Sequence, residues 1–517
     1  MRASAAPILP TVRAASPQAR PGRAPWVPLA LGVAAVARVL WLWTKPFWRD
    51  EAWVARLARQ PLDRLFQDLH PVPLGFLAAV KLTGALPLLP PEVSLRLLPL
   101  AAGLCAVPLL GALARGLGAS SWTAIAAVWL AAGLPAFVYY ARELKPYSLD
   151  LLLAVLVPLL ALRWVEPAAG PVRRRAVAAA LVACALVAPW VAFGANFVVV
   201  PTLAWVAWRG RRGALPWIAA AAFALSFTAA YWAVLGPQSE VPRLRETWRD
   251  ELIAEALGPP PAAAAAALWR YVAVSVPYLF PGLWPLAALL AAVGLFAWPR
   301  RHRGLLIALW LAPAAATVAA VLLGRYVTGH GRLLLFAAPP ILLMVASGLV
   351  EAARAGGRLL GRAGGERLGA ALAVVAGLGW SAQGIAHRVR PYRTDVSRYF
   401  LFDVLHDVDA LVEKAERHVA RGEPVMVSRY AGDAFLFYAR GRLPGAVVCT
   451  RRTCPDEGPV LHAWLRGIRE RGFLILLEEE ERSGLRNTAG GEGLEVRTVA
   501  KARGVRLWEL TRARPGP

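Results

Sequence analysis

Long apolar blocks, separated by short polar loops, occupy the first three quarters of the chain. A helix needs about 20 apolar residues to cross the core of a bilayer. About eleven such blocks can be drawn, near residues 26–44, 93–114, 120–140, 148–163, 176–189, 191–208, 214–235, 282–298, 304–323, 333–350 and 369–386. The run 176–208 is too long for one helix, and we divide it at Pro189 and Trp190, which are typical of a turn at the membrane surface. The pattern predicts a polytopic α-helical membrane protein with about eleven transmembrane helices.

The tail of the chain has a different pattern. A charged helical stretch at 403–421 is followed by short apolar runs at 424–428, 446–450, 473–479 and 504–510. Alternating helix and strand signals predict a small α/β domain. The chain then has three parts: an N-terminal segment 1–25, a transmembrane domain 26–387 and a C-terminal domain 388–517. The tail has no nucleotide loop, zinc spacing or nucleophile motif, which favours a cap or docking module over a second active site.

Net charge is +25, which in a soluble protein would suggest nucleic acid as the partner. Here the arginines form short clusters between apolar blocks, and no basic stripe carries the aromatic residues that stack on bases, so we expect no nucleic-acid binding. Loops on one side hold fifteen arginines, whereas the short turns on the other hold Arg142, Lys145, Arg325 and Arg332. The positive-inside rule then places the N-terminus in the cytoplasm and puts residues 45–92, 236–275 and the tail outside. We expect a multi-pass protein of the cell (inner) membrane.

The four cysteines fall into two pairs. Cys105 and Cys184 lie inside apolar blocks, where simple packing explains them. Cys449 and Cys454 lie in the tail, and they form a disulfide or stay as thiols depending on whether the tail is outside the cytoplasm.

The first predicted outer loop carries an acidic pair, Asp50 and Glu51, directly after the first apolar block. Carboxylates at a membrane exit are costly to bury, although a solvated interfacial pair is the simpler interpretation. Asp68 and His70 follow in the same loop, so a general base and a ligand for a metal or phosphate are available together. A divalent metal ion remains an open alternative, and no set of metal ligands is assigned.

Cations gather on the same predicted face. Arg142, Lys145 and Tyr147 follow the third block, and Arg325 and Arg332 follow the ninth. Two cations and a phenol in six residues are suited to clamping a phosphate, and the alternative is simple snorkelling at a helix end. Convergence on one side favours a site. Within the first block, we assign Arg38 a structural role, either snorkelling outward or pairing with Asp50.

These segments resemble the polytopic glycosyltransferases of the C superfamily (GT-C), specifically family 39-like enzymes related to polyprenyl-phosphate-mannose protein mannosyltransferases and aminoarabinose transferases. The resemblance covers residues 26–386. It rests on Asp50 and Glu51, on DLHPVPLGFL, which is similar to the family's Asp-x-His-Pro-Pro-Leu pattern with Val72 between the prolines, on YYARELKPYSLD and on GRLLLFAAPPILL.

The resemblance implies transfer of a sugar, with inversion, from a polyprenyl-phosphate donor to an extracytoplasmic lipid, glycan or protein. On this basis Asp50 is the catalytic base, and Glu51 and His70 orient the acceptor or hold a divalent ion. The expected ligands of the donor phosphate are Arg142, Lys145, Tyr147, Arg325 and Arg332. A lipid or sugar transporter or flippase is the first alternative, but the chain has no convincing internal repeat. A non-catalytic membrane scaffold is the second, and it leaves the acidic pair unexplained.

Overall fold

The computed structural model describes most of the chain. The described residues are 26–40, 42, 46–61, 72–165, 171–209, 214–236, 260–326, 328, 330–361, 363–386, 407–439, 441–450, 453–454, 457–481 and 484–513. Asp68, His70 and the N-terminal segment lie outside these ranges, so the predictions made for them stay predictions.

Helices form the described chain up to residue 386. The first eight are α1 (Trp26–Val39), α2 (Arg49–Arg59), α3 (Leu74–Gly84), α4 (Pro91–Ser94), α5 (Leu97–Gly116), α6 (Ser121–Gly133), α7 (Pro135–Ala141) and α8 (Tyr147–Val165). The next eight are α9 (Pro171–Val191), α10 (Asn196–Arg209), α11 (Ala214–Ala230, extended by a π-helical turn at Tyr231–Leu235), α12 (Pro260–Leu279), α13 (Trp284–Ala297), α14 (Arg300–Leu322), α15 (Ala338–Leu359, preceded by a 3₁₀ segment at Gly331–Ala337) and α16 (Gly365–Ala386).

Seven helices of the described residues are long and apolar enough to cross a membrane, or eight if the bent pair α6 and α7 is one span. The apolar helices α1, α3 and α13 are shorter. The prediction of a polytopic helical membrane fold is therefore confirmed. The long run at 176–208 does divide, but at residues 192–195, because α9 continues through Pro189.

Helix α12 corrects the sequence interpretation, which placed residues 236–275 in one outward loop. The chain forms a helix from Pro260, and it is apolar enough to span a membrane. Its mean hydropathy of 1.2 is the lowest among the seven spans. The reason is local, because alanines at 262–267 are only weakly apolar and Arg270 interrupts the run.

Small residues let the helices of the bundle approach closely. Gly294 of α13 faces the backbone of α15, and Gly348 of α15 faces the backbone of α13. Gly133 of α6 and Gly377 of α16 make the same kind of crossing. A Cβ at any of these four positions would collide with backbone atoms. Association of helices in a bilayer depends on such packing, since lipid tails are as apolar as the helices.

The tail folds as a small α/β domain, as predicted. Its elements are α17 (Val408–His418), β1 (Val425–Val427), α18 (Arg429–Tyr438), β2 (Val447–Val448), α19 (Glu457–Gly467), β3 (Arg471–Leu477), α20 (Glu478–Glu481), α21 (Leu485–Gly491), β4 (Leu494–Ala502) and β5 (Val505–Arg512). The strand order is β2-β1-β3-β5-β4, with β1 parallel to β2 and β3 and with β5 antiparallel to β3 and β4. Cys449 and Cys454 form a disulfide directly after β2.

The C-terminal domain packs on the segment that follows α1. Arg56 of α2 and Asp433 of α18 form an ion pair at 2.9 Å. The backbone N–H of Phe47 donates to the hydroxyl of Tyr438 at 2.8 Å. These contacts place the C-terminal domain at the same end of the bundle as the acidic pair. This placement does not depend on the number of transmembrane helices.

The bundle has two ends, which we name by their residues. The site end is where α2 contacts the start of α5, through Glu51 and Arg96. The arginine end is the opposite end of α5, where Trp298 donates to the carbonyl of Leu117 at 2.9 Å. Helix α5 has 20 residues, so the two ends lie about 30 Å apart at 1.5 Å per residue.

Candidate active site

Glu51 is fully buried in an ion pair that the sequence did not reveal. Its two carboxylate oxygens accept from Nε and Nη2 of Arg96 at 2.8 and 2.6 Å, and one also accepts from the backbone N–H of Leu144 at 2.8 Å. This bidentate arrangement ties α2, the start of α5 and the loop after α7 together. The geometry therefore favours a positioning role for Glu51.

Asp50, one residue earlier, faces a different environment. Successive residues of an α-helix point about 100° apart. The Asp50 side chain is 16% exposed, and Oδ2 lies 3.9 Å from Nζ of Lys145. It is also electrostatically coupled to Tyr147 and Arg332. Of the two carboxylates, Asp50 is the one that is held among cations and also reaches the surface.

A break between α6 and α7 turns the chain so that the loop after α7 lies at the site. The two helices meet at an angle of 55°, because Pro135 has no N–H to donate to the carbonyl of Ala131. The guanidinium of Arg38 donates to the carbonyls of Ala131 and Ala132 at 3.2 and 2.8 Å. Arg38 is completely buried. The sequence analysis expected Arg38 to snorkel outward or to pair with Asp50, whereas its hydrogen bonds in the structure go to backbone carbonyls.

The loop after α7 carries three of the predicted phosphate ligands. Lys145 is buried between Asp50 and the ring of Trp53, whose centroid lies 5.5 Å from Nζ. Arg142 is half-buried and is electrostatically coupled to Arg38. Tyr147 begins α8 and is coupled to both Asp50 and Arg332. Two cations and a phenol therefore lie within this one loop and the start of α8, and their role as phosphate ligands stays a prediction.

A group of tyrosines forms the other wall. The hydroxyls of Tyr140 and Tyr278 hydrogen-bond to each other, and the rings of Tyr140 and Tyr147 meet edge to face at 5.0 Å. Gly331 lies against the ring of Tyr278, and a Cβ there would collide with it. Only glycine permits this close approach, which brings the next residue, Arg332, within electrostatic reach of Tyr147, Tyr140 and Asp50.

Arg325 contacts an aromatic ring outside this group, and its place among the phosphate ligands stays a prediction. Its side chain is exposed, and its guanidinium lies 6.0 Å from the ring of Tyr231 in the π-helical turn after α11. Two residues that the sequence analysis missed do belong to the site, Arg96 and Tyr278. Arg96 lies inside an apolar block, which is the signal that identified Arg38 and would have identified it too. Tyr278 lies between the predicted outer loop 236–275 and the predicted block 282–298, and its sequence carries no comparable signal.

The charges of the site suit an anion better than a metal ion. Within the described residues, no group of three or more His, Cys, Asp or Glu side chains is placed to hold a metal. Among the neighbours of Asp50 are the cations Lys145 and Arg332, which repel a divalent ion. A proton acceptor beside fixed cations and phenol donors can instead deprotonate a hydroxyl while stabilising a departing phosphate.

The fold is that of a polytopic membrane protein of the GT-C type, as comparison with solved structures shows. ArnT from Cupriavidus metallidurans in the apo state matches with a TM-score of 0.56 and 14% identity, covering 94% of this chain and 97% of that one. The same protein bound to undecaprenyl phosphate matches with a TM-score of 0.57 and 14% identity, covering 94% and 98%. The apo Archaeoglobus fulgidus oligosaccharyltransferase matches with a TM-score of 0.51 and 12% identity. The match covers 90% of this chain and 70% of that one.

These identities show a shared fold and no more. The resemblance to the GT-C superfamily is thereby confirmed at the level of the fold, over nearly the whole chain. No family model matches the sequence, and no curated protein matches it.

Proposed function

We propose that this protein is a membrane glycosyltransferase that transfers a sugar from a polyprenyl-phosphate donor to an extracytoplasmic lipid, glycan or protein. The observation that carries the proposal is the convergence of Asp50, Lys145, Tyr147 and Arg332 at the site end. The fold supports it, because ArnT has the same fold and has been solved with undecaprenyl phosphate.

The proposed reaction is a single displacement with inversion. The acceptor hydroxyl oxygen attacks the anomeric carbon on the face opposite the carrier phosphate, and Asp50 takes its proton. The new carbon–oxygen bond forms as the bond to the phosphate breaks, and the phosphate leaves with the electron pair. Lys145 and Arg332 stabilise that developing charge, and Arg142 and the Tyr147 hydroxyl contribute further donors. Glu51 holds α2 in place through Arg96.

The proposed orientation puts the site end outside the cytoplasm. The supporting argument is the positive-inside rule, since arginines crowd the opposite end of the bundle. The C-terminal domain docks at the site end and contains a disulfide, which persists in oxidising compartments. Reporter fusions at Arg174 and Gly422 are expected to report opposite sides of the membrane. Signals from the same side would contradict this orientation.

Substitution of Asp50 tests the proposal directly. Asp50→Asn keeps the shape but removes the proton acceptor, and loss of a general base lowers a rate about 10²- to 10⁴-fold. Purified wild-type protein and variant would be assayed with a panel of undecaprenyl-phosphate sugars, chosen by mass spectrometry of lipid-linked sugars and envelope glycans in a deletion strain. Asp409→Asn, an exposed carboxylate of the tail, is the matched control.

Three outcomes decide the matter. Loss of transfer in Asp50→Asn, with donor binding and thermal stability intact, supports the base assignment. Near-wild-type turnover in that variant shows that another group accepts the proton. If the wild-type protein transfers no sugar but moves labelled lipid across liposomes, the glycosyltransferase proposal itself is wrong.

A further inference from the structure

A cavity of about 980 Å³ opens at the arginine end between five helical segments, and no role has been assigned to it. Its polar lining consists of arginines from the ends of α5, α8, α9 and α10 and a histidine from α14: Arg115, Arg163, Arg173, Arg209 and His302. Two tryptophans of α10, Trp205 and Trp208, complete the wall. The candidate active site lies about 30 Å away, at the other end of α5.

The arginines of this cavity form a cluster of like charge. Arg115 donates to the carbonyl of Ala119 and to the hydroxyl of Ser121, and Arg209 stacks on the ring of Trp208 at 5.3 Å. Within the described residues, the ion pairs involve none of the cavity's four arginines. Four guanidinium groups around one cavity repel one another, and an anion between them would offset that repulsion.

An apolar groove continues from this cavity towards the middle of the bundle. The two share four residues of their lining, Leu162, Trp205, Leu305 and Ala308. Prolines line the groove from three different helices: Pro158 of α8, Pro201 of α10 and Pro313 of α14. Thr202 is the one polar side chain among the groove's lining residues. A basic mouth joined to an apolar groove has the two chemistries of a lipid, a charged headgroup and an acyl chain.

We infer that this end of the bundle binds an anionic glycerophospholipid of the adjacent leaflet, with its phosphate among the arginines and an acyl chain in the groove. Basic pockets between transmembrane helices are suited to such headgroups. Trp208 is 62% exposed beside the cavity, as expected for an aromatic at the level of lipid headgroups. A bound phosphate would offset the repulsion and link α5, α8, α9, α10 and α14. The inference does not depend on sugar transfer.

Native mass spectrometry of the delipidated full-length protein tests this site. Phosphatidylglycerol, phosphatidylcholine, undecaprenyl phosphate and inorganic phosphate would be added separately to wild-type protein and to the double variant Arg163→Gln, Arg173→Gln. Each surface arginine contributes about fivefold to anionic-lipid affinity, so the double variant should bind phosphatidylglycerol about 30-fold more weakly. The matched control is Arg358→Gln, Arg367→Gln, two exposed arginines outside the cavity lining with the same change of charge.

The groove has its own pair of variants. Ala308→Phe should plug the junction of cavity and groove and weaken phosphatidylglycerol binding, whereas Ala315→Phe, on an exposed part of the same helix, should not. Thermal unfolding of each protein with and without phosphatidylglycerol gives a second readout, because a ligand stabilises only a protein that binds it. A variant that is less stable from the start can therefore still be scored by its lipid-induced shift.

Several results would overturn the inference. Equal losses in the control pair would mean diffuse attraction without a site. Phosphatidylcholine binding as tightly as phosphatidylglycerol would remove the role of charge. Preference for undecaprenyl phosphate would assign the cavity to the carrier lipid, and displacement by inorganic phosphate at the same concentration would leave no role for the acyl chain.

Discussion

The two ends of the helical bundle use arginine in opposite ways. At the site end, Arg96 and Arg38 are fully buried, and their guanidinium groups are fixed by a carboxylate and by carbonyl oxygens. At the arginine end, Arg173 and Arg209 are exposed and Arg163 is half-buried. A buried charge needs a fixed partner to offset its desolvation, whereas a charge at the membrane surface needs none. The role of an arginine therefore depends on its position in the bundle. Buried arginines stabilise the fold, whereas exposed arginines orient the protein in the membrane.

The largest expected effect on stability comes from breaking the buried pair. Glu51→Gln leaves Arg96 buried beside a neutral amide, which should lower the free energy of unfolding by about 3–5 kcal/mol. The measurement is unfolding by SDS titration in mixed micelles. Asp50→Asn is the internal control, because that side chain is partly exposed and its carboxylate lies 3.9 Å from Nζ of Lys145. Equal destabilisation by Glu51→Gln and Asp50→Asn would show that the two carboxylates contribute equally to stability, which contradicts this contrast.

Removing a cation from the site should weaken use of the lipid donor. Arg332→Gln and Lys145→Gln each delete a charged donor for phosphate, which is worth about 1.5–3 kcal/mol, or about 10- to 150-fold in kcat/KM. Arg142→Ala should act in the same direction. Arg325→Gln is the matched control because Arg325 lies beside Tyr231. A comparable loss in that variant would return Arg325 to the donor site, as the sequence alone had suggested.

Loss of Arg38 should lower the stability of the protein more than loss of an exposed arginine at the arginine end. Arg38→Met leaves buried carbonyls of α6 without their donor, at a cost of about 1–3 kcal/mol. Arg300→Met, which is exposed at the start of α14, should change stability by less than about 0.5 kcal/mol. Similar values for both substitutions, measured by the same SDS titration, would contradict the contrast between the ends.

The smallest expected effect concerns the docking of the C-terminal domain. Arg56 and Asp433 form a partly exposed ion pair, so a double-mutant cycle with Arg56→Gln and Asp433→Asn should give a coupling energy of about 0.2–1 kcal/mol. Thermal stability of the four proteins provides the measurement. A coupling above 2 kcal/mol would mean that this pair is as constrained as the pair inside the bundle.

Part of the site could be predicted because its chemistry lies in short segments. Asp50 follows an apolar block, and Arg142, Lys145 and Tyr147 lie within six residues, so local spacing was enough to predict that they act together. Arg332 was expected in the site for its place on the same face. The division of labour within the acidic pair could not be predicted, because Glu51 is removed from solvent by Arg96, which lies 45 residues further along the chain.

The C-terminal domain shows the same limit. Its alternating runs predicted an α/β fold, yet β4, with its alternating apolar and polar residues from Leu494, was not identified separately. Nothing local in the sequence shows that Tyr438 would accept a hydrogen bond from Phe47, since the two are 391 residues apart.

By itself, the sequence determined the membrane fold, the two unequal distributions of charge and the residues able to carry chemistry. The length of an apolar segment and the charge of a loop are local properties. Each one determines membrane insertion and orientation segment by segment. Only the tertiary structure decided which charges are neutralised by a buried partner and which lie exposed at the surface. Those outcomes depend on contacts between distant segments, where burial changes the cost of a charge by several kcal/mol and a single partner decides its role.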